Sequence, residues 1–487
     1  MEKNSLKKKT VAGMLWKFGE NTLTQVLQFV LSIILARLLM PEDYGIIALV
    51  SVFITLCDKL VISGFATSLI QKKDADNTDF STVFWFSLGM AVLLYCILYA
   101  GAPLIAAFYD TYDSRTLIAV IRVMSIQVLL VAVNSVQCAY VSRTMQFKRF
   151  FWSGLGGTLV SVVVGIVMAI AGCGVWSLVG QYLVKIFCSV CVLWFTVEWR
   201  PRFEFSGEKF KALYNYGWKI FAASIIKVLY NDMRSLVIGK FYSPTDLAFY
   251  NRGQSFPQLI ESNITGTIDS AFFPAMSRSQ TSRDVMTSML RRTVKISTYI
   301  LTPLLVGLAA VAEPLIIVLL TEKWLPSVFY LQIISLSFVT APVEIENLQA
   351  IKAMGRSDLV LKLEVVKRTV GVVLLFAALP FGVEAIAVSL LAGNILSAAI
   401  NAWPNRKLLG YTYRQQVMDI LPSILMSAVM YGAVRAVSLI RMAALPMLIV
   451  QILIGMMVYV ALSVVLKYEA FRYILQMVKE TAEKRRK

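Results

Sequence analysis

Fourteen stretches of this chain, each about as long as a bilayer is thick when wound into a helix, follow one another with only short connections between them. A transmembrane helix needs ~20 mostly apolar residues. Such windows lie near 14–39, 45–70, 81–108, 116–141, 152–171, 175–197, 216–239, 246–272, 293–320, 326–351, 359–380, 383–403, 417–439 and 444–466, and the window at 246–272 is unusually polar. The expected fold is therefore an all-α polytopic membrane protein with about 14 transmembrane helices. No connection is long enough to hold a soluble domain.

Composition removes the soluble alternative. Of 487 residues, 58% belong to the apolar set AVILMFWYC and 16% are Asp, Glu, Lys or Arg, against roughly 25% charged in soluble domains. A globule this size could not cover its surface with so few charges. The net charge of +18, from 47 basic and 29 acidic residues, would suggest a nucleic-acid partner in a soluble protein. Sorted by position, it records topology instead. One set of alternating connections holds Lys7, Lys8, Lys9, Lys72, Lys73, Arg143, Lys148, Arg200, Arg202, Lys209, Arg291, Arg292, Lys352, Arg406 and Lys407, and continues into a basic tail from Lys467. The other set holds only Arg115, Lys240, Lys323 and Arg441, beside acidic stretches at Glu42-Asp43 and at Asp110 and Asp113. Cytoplasmic loops carry the Lys/Arg excess, so both termini are expected in the cytoplasm, and no nucleic acid is expected as a partner. The first apolar helix is too long for a signal peptide and lacks a small-residue cleavage site, so it is expected to remain as the first span.

The chain has no histidine, which excludes His-ligated metals, Ser-His-Asp triads and His acid–base catalysis. Cys188-Ser-Val-Cys191 has redox or metal spacing, but it lies in an apolar helix without a second pair. Those cysteines read as small packing residues. No metal or other cofactor is expected.

Two parts of the chain resemble each other. Trp16-Lys17 and Trp218-Lys219 open spans 202 residues apart, and Ala36-Arg37 to Pro41-Glu-Asp43-Tyr44 matches Gly239-Lys240 to Pro244-Thr-Asp246-Leu247 at a separation of 203. Both copies start on the same expected side, so the repeat is parallel, about an axis along the membrane normal, as in transporters built from two such halves. The expected organisation is an N-terminal six-helix lobe at 1–197, a cytoplasmic linker at 198–215, a C-terminal six-helix lobe at 216–403, two further helices at 404–466 and a basic tail at 467–487.

Polar residues inside spans are costly in lipid and so carry more information than the apolar ones. At about 100° per residue, Lys17, Asn21, Thr24, Gln25, Gln28 and Ser32 share one face of the first helix, with Glu20 at its margin. In the eighth, Asn251, Ser255, Gln258, Ser262, Thr265 and Asp269 stay within about 40° of a common line, with Glu261 beside it. Such rows face a polar neighbour or a water-filled cavity. Arg122, Lys185, Lys227 and Arg234 are isolated cations within spans, suited to phosphate or another anion. Lys185 and Lys227 have no carboxylate adjacent in sequence. Asp58, Glu261, Asp269 and Glu344 are carboxylates able to carry a proton or sodium ion. Glu364, Lys367 and Arg368 have the i, i+3, i+4 spacing of an intrahelical pair. There is no GxxxxGK[ST] loop, so an ATP motor is not expected.

The segments Lys9-Thr-Val-Ala-Gly13 to Trp16, Leu35-Ala-Arg37-Leu38 to Pro41-Glu-Asp-Tyr-Gly45, Ser63-Gly64-Phe65 to Ile70-Gln71-Lys72, Tyr250-Asn-Arg252, Phe272-Phe-Pro274 and Thr321-Glu-Lys323-Trp324 resemble, in that order, the polysaccharide transporter family. These are Wzx-like flippases of lipid-linked oligosaccharides, in the larger group that also holds multidrug antiporters and the peptidoglycan-precursor flippase. The resemblance is strongest to the branch of the colanic-acid exporter and lipopolysaccharide-biosynthesis proteins. It implies two six-helix lobes around a central cavity, an undecaprenyl-diphosphate-linked oligosaccharide as cargo, and transport by alternating access without covalent chemistry, in a bacterial cytoplasmic membrane. Implied partners are the lipid-linked substrate, membrane lipid, a proton or sodium ion, and polysaccharide polymerase machinery. The extra helix pair would offer the lipid tail a groove. The resemblance brings no binding residues with it. A multidrug or cation antiporter of the same fold is the alternative, and it would favour a cavity of carboxylates and aromatics. A membrane scaffold or a glycosyl-transferring enzyme fits less well, because an enzyme should show acidic catalytic residues in a large soluble loop.

Overall fold

The computed structural model describes residues 2–62, 69, 72, 74–279 and 282–486, except for the side chains of 2–15, 17, 18, 212–223, 271, 477, 478 and 481–486. The described residues form helices and short turns, with no strand among them. Eleven of the described helical segments are long and apolar enough to cross a membrane. The chain is a multi-pass membrane protein. Three of the fourteen expected spans, 216–239, 246–272 and 359–380, coincide with helices of membrane length that are too polar for that criterion. They belong to Gly207–Phe241, Pro244–Arg278 and Ser357–Ala378, which carry Lys227 and Arg234, the polar row with Glu261 and Asp269, and Glu364, Lys367 and Arg368.

The chain divides into two compact units, Met1–Ala248 and Phe249–Lys487. The first contains α1 (Glu2–Leu38), α2 (Pro41–Ile62), α3 (Asn77–Phe108), α4 (Ser114–Met124), α5 (Ile126–Arg143), α6 (Phe147–Ile170), α7 (Val175–Thr196), α8 (Gly207–Phe241) and the first turn of α9 (Pro244–Arg278).

Helix α6 shows how close packing is achieved in this unit. Ser153, Gly157, Ser161, Gly165 and Ala169 recur every fourth residue, so they form one stripe along the helix, and all five are buried. Lipid tails are as apolar as leucine, so helices in a bilayer associate through close backbone approach rather than through exclusion from water. The stripe packs on α1 and α7. A Cβ placed on Gly157 would stand 2.6 Å from the Lys185 carbonyl oxygen, and Ser153 Oγ donates to the Ser189 carbonyl at 3.0 Å. Gly157→Ala is expected to force α6 away from α7 at Lys185, lowering stability by roughly 1–3 kcal/mol, as overpacking does. Thermal unfolding in detergent measures this, and an unchanged midpoint would contradict the close approach.

The repeat is visible atom by atom where α1 turns into α2 and α8 into α9. In the first corner the Leu39 N–H donates to the Leu35 carbonyl at 2.8 Å and the Met40 N–H to the Asp43 carboxylate at 3.1 Å. In the second, 203 residues on, the Tyr242 N–H donates to the Ile238 carbonyl at 2.9 Å and the Ser243 N–H to the Asp246 carboxylate at 3.1 Å. Each new helix starts on a proline, Pro41 or Pro244, at the one position where the missing N–H costs nothing. The two corners also touch: a Cβ on Gly45 would lie 1.9 Å from the Pro244 carbonyl oxygen.

The segment expected as a linker is tied down at its start. The Arg202 N–H donates to Ser81 Oγ at 3.0 Å, the Ser206 N–H to Thr82 Oγ1 at 3.1 Å, and Trp85 Nε1 to the Arg202 carbonyl at 2.7 Å. Asp76, the N-cap of α3, accepts from Lys209 at 2.5 Å. That charge-assisted bond holds the Asp76 carboxyl down at about 2.

The second unit holds the rest of α9, then α10 (Arg283–Ala310), α11 (Ala312–Leu320), α12 (Ser327–Ser337), α13 (Ala341–Ala353), α14 (Ser357–Ala378), α15 (Val383–Ala402), α16 (Asn405–Leu408), α17 (Tyr413–Val437), α18 (Ala444–Val465) and α19 (Glu469–Arg486). Tyr299, Leu305, Met426, Met430, Val434, Leu448 and Tyr459 form one core from α10, α17 and α18. Its polar tips are satisfied internally. The Tyr459 hydroxyl donates to the Tyr299 carbonyl and the Tyr299 hydroxyl to Ser463 Oγ, both at 2.9 Å. The basic tail is a helix, and its Ala470, Phe471 and Ile474 pack on that same core. Lys467, at the corner between α18 and α19, has a left-handed backbone with φ 49°. That conformation costs an L-residue roughly 1–2 kcal/mol that glycine would not bear.

Candidate functional site

In the first unit, the in-span cations differ in how far protein groups have claimed them. Arg122, in the last turn of α4, donates from Nε to the Tyr99 carbonyl at 3.3 Å and lies 4.4 Å over the Tyr99 ring. Lys185, on α7, is half-buried and has no hydrogen-bond or ion-pair partner among the described residues. Lys227 is exposed on α8. Arg234, two turns further on, is half-buried, and its Nε is a buried donor with no acceptor. Arg122 therefore has a structural partner, whereas Lys185 and Arg234 hold unspent donors inside a span. Keeping such groups unpaired is expensive.

Asp58, on α2, accepts from Gln127 Nε2 at 2.8 Å through one oxygen, while the other is buried without a partner. Along α1, Asn21 and Gln25 are exposed and Gln28 half-buried, while Leu31 and Leu35, further along the helix, are buried. The side chain of Lys17 lies outside the described residues.

In the second unit, the polar row of α9 is as regular as its spacing suggests. Ser255, Gln258 and Ser262 are exposed, Asn251 and Asp269 are half-buried and Thr265 is buried. Ser255 and Ser262 turn their hydroxyls back onto the carbonyls of Arg252 and Leu259, at 2.8 and 3.4 Å, so this face shows oxygen lone pairs outward. Thr265 Oγ1 donates to the Glu261 carbonyl at 2.7 Å and lies 3.2 Å from its carboxylate. Asp269 accepts from Gln349 Nε2 at 2.9 Å, and its other oxygen is buried and unpartnered.

Glu344 is not a solitary carboxylate. It accepts from Lys367 Nζ at 3.0 Å, and Lys367 also pairs with Glu364 at 2.7 Å, while Arg368 lies 3.4 Å from Glu364. The intrahelical pair expected on α14 is formed, and it is extended to α13. Glu346, not marked for a role by its spacing, is the more deeply placed: it is 2% exposed, accepts from Ser297 Oγ at 3.2 Å and keeps one oxygen without a partner. Two residues apart on a helix, Glu344 and Glu346 point to opposite sides, one to α14 and the other to α10. Only the packing of those helices tells them apart.

A second polar cluster went unnoticed in the sequence. Asn347 Nδ2 donates to Gln416 Oε1 at 2.7 Å, and Asn405 Nδ2 to Asn347 Oδ1 at 2.7 Å. All three residues are buried. They clamp α13, α16 and α17 through a shared network in which only the Asn405 Oδ1 is left without a partner. Their spacing of 58 and 69 residues leaves no local signal.

Residues 34–329 match the family described as polysaccharide biosynthesis protein. Among curated relatives, the succinoglycan biosynthesis transport protein ExoT of Rhizobium meliloti (strain 1021) is 24% identical over 63% of this chain and 62% of its own. The match thus spans less than two thirds of that relative's length. The teichuronic acid biosynthesis protein TuaB of Bacillus subtilis (strain 168) is 22% identical over 73% of each chain, and the lipopolysaccharide biosynthesis protein WzxC of Escherichia coli (strain K12) 22% identical over 85% of each. Among solved structures, the lipid II flippase MurJ in an inward closed conformation aligns with a TM-score of 0.76 at 13% identity, covering 95% of this chain and all of MurJ. An inward-facing multidrug resistance transporter of the MATE family aligns at 0.64 and 14% identity, over 80% of this chain and 94% of its own. At such identities the structural likeness speaks for the fold alone.

Proposed function

This chain belongs to the polysaccharide biosynthesis protein family, and from that premise we propose that it carries a polyprenyl-diphosphate-linked oligosaccharide across the bacterial cytoplasmic membrane. The observation that supports this most directly is the pair of in-span cations with open donors, Lys185 and Arg234. A diphosphate offers the anionic oxygens that such donors lack, and Arg and Lys are the side chains suited to it. The hydroxyls and amides spaced along α1 in the first unit, and along α9 in the second, are hydrogen-bonding groups of the kind a sugar needs and a hydrocarbon cargo does not. Transport would proceed by alternating access, with no bond made or broken in the cargo.

The alternation needs a driving force. Asp58 in the first unit, and Asp269 and Glu346 in the second, each keep a buried oxygen without a donor, which a proton or sodium ion would satisfy. Glu261 remains a candidate beside them. Glu344 is the weakest, since Lys367 already neutralises it. In this reading the basic connections and both termini lie in the cytoplasm, and the flipped cargo is delivered to polymerase machinery on the far side.

Purified protein in proteoliposomes, given undecaprenyl-diphosphate-linked oligosaccharide in the outer leaflet, is expected to make that sugar inaccessible to an external lectin with time. Transport of ethidium or another organic cation with no movement of the lipid-linked sugar would replace this reading with that of an antiporter.

A further inference from the structure

The helical tail and the start of α10 enclose a cavity of about 780 Å³ that the transport cycle outlined above does not use. Arg291, Arg292 and Lys295 reach it from α10, Lys467 from the corner between α18 and α19, and Arg472 and Tyr473 from α19. Five cations thus converge on one recess.

Their existing partners neutralise only part of this charge. Arg291 makes a two-toothed pair with Asp419, at 2.6 and 2.8 Å. Lys295 pairs with Asp419 at 3.4 Å and with Glu469 at 2.9 Å. Asp419 is buried, but the Glu469 side chain is 77% exposed, so its hold on Lys295 is weak. Arg292 is stacked on the Tyr473 ring, 3.3 Å from its centroid, an arrangement that fixes the guanidinium without neutralising it. Lys467 and Arg472 have no ion-pair partner among the described residues. Lys467 takes the left-handed position that follows the α18 C-cap, where glycine would sit at ease.

The surroundings point to the class of anion. The residue before Lys467 is Leu466, and the residue before Asp419 is Met418. Both line an apolar groove between α17 and α18, with Leu421, Leu425, Val429 and Leu462. Lys467 of the cationic recess directly follows Leu466 of the apolar groove, so the two lie at the same end of α18. A soluble phosphate would use the first and have no need of the second.

We propose that this recess binds the phosphate headgroup of a membrane lipid, as a site separate from the in-span cations Lys185 and Arg234. The bound phosphate is held chiefly by Lys467, Arg472 and Arg292, with Lys295 released to it from Glu469. The site holds the tail helix against the bilayer surface. It rests on the proposed orientation of the basic ends, and not on the identity of the cargo.

The test uses the full chain in detergent micelles, with native mass spectrometry and thermal unfolding as readouts. The probes are phosphatidylglycerol, phosphatidylcholine, undecaprenyl diphosphate and inorganic diphosphate. Phosphatidylglycerol or undecaprenyl diphosphate, or both, should bind and raise the unfolding midpoint, and which of them does identifies the source of the headgroup. K467Q/R472Q should weaken that binding about thirtyfold, from two lost cations at a lipid surface. Lys467→Gly separates charge from fold: it relieves the backbone, so the free protein melts no lower, yet lipid binding falls. Equal binding of phosphatidylcholine, inorganic diphosphate competing as well as lipid, or full affinity in either variant would overturn the proposal. Lys185→Ala should leave phosphatidylglycerol binding unchanged, since only undecaprenyl diphosphate would also use the in-span cations, so a failure of the transport reading would not be mistaken for a failure here.

Discussion

Replacing Lys185 and Lys227 together with alanine should abolish export of the surface polysaccharide while the protein still inserts in the membrane. Each ammonium would supply a charge-assisted bond to the cargo's diphosphate, worth roughly 1.5–3 kcal/mol, so the loss of two corresponds to about a thousandfold in cargo affinity. The same change removes two costly charges from spans, where the insertion penalty is about 2.5–3.5 kcal/mol per lysine at the helix centre. Function and stability should therefore move in opposite directions: export falls, and the unfolding midpoint holds or rises. An ordinary destabilising mutation moves both downward. K185R/K227R should restore part of the export, since it returns the charge but not the shape. Normal surface polysaccharide in the alanine variant would remove these lysines from the cargo path.

Gly45→Ala should leave little correctly folded protein. The added methyl would lie 1.9 Å from the Pro244 carbonyl oxygen, 2.5 Å from its carbon and 2.9 Å from its Cα. All three are backbone atoms, so no side chain can rotate away, and both helices would have to part at their starts. The cost should exceed the roughly 1–3 kcal/mol of ordinary overpacking. Gly89→Ala is the matched control, because a Cβ there meets nothing within 4 Å. Gel filtration of the solubilised proteins should show the first aggregated and the second monodisperse. A monodisperse Gly45→Ala protein melting with the parent would mean that the two corners are not in contact.

The parts of this fold that were legible in the sequence are those governed by local rules. Window length located the eleven apolar spans, because lipid leaves a helix few other options. The corners at Pro41 and Pro244 stood out because a proline followed two residues later by an aspartate is a capping arrangement with its own spacing. What failed to show depends on which helices become neighbours. The stripe Ser153–Gly157–Ser161–Gly165–Ala169 was present in the sequence, but small residues blend into any apolar window. The first turns of α10, with Arg291 and Arg292, read as a loop because a hydropathy window ends where charge begins, although the helix runs back to Arg283. For the candidate site, the regular spacing of the polar residues on α9 is readable from periodicity alone. The capture of Glu344 by Lys367 and the burial of Glu346 against Ser297 were not, since each needs a partner on another helix.

The touching corners have a consequence for how such a chain could have arisen. In two separate copies of a half-length ancestor related by a twofold axis, a residue of one corner would meet the neighbour's corner, and the reverse contact would be identical. Fusion into one chain frees the two sides to drift apart. At the position 203 residues after Gly45 stands Ala248, which is buried. One copy carries glycine at this position and the other alanine. The duplicated contact has become lopsided, so a change tolerated at Ala248 is no guide to what Gly45 will accept.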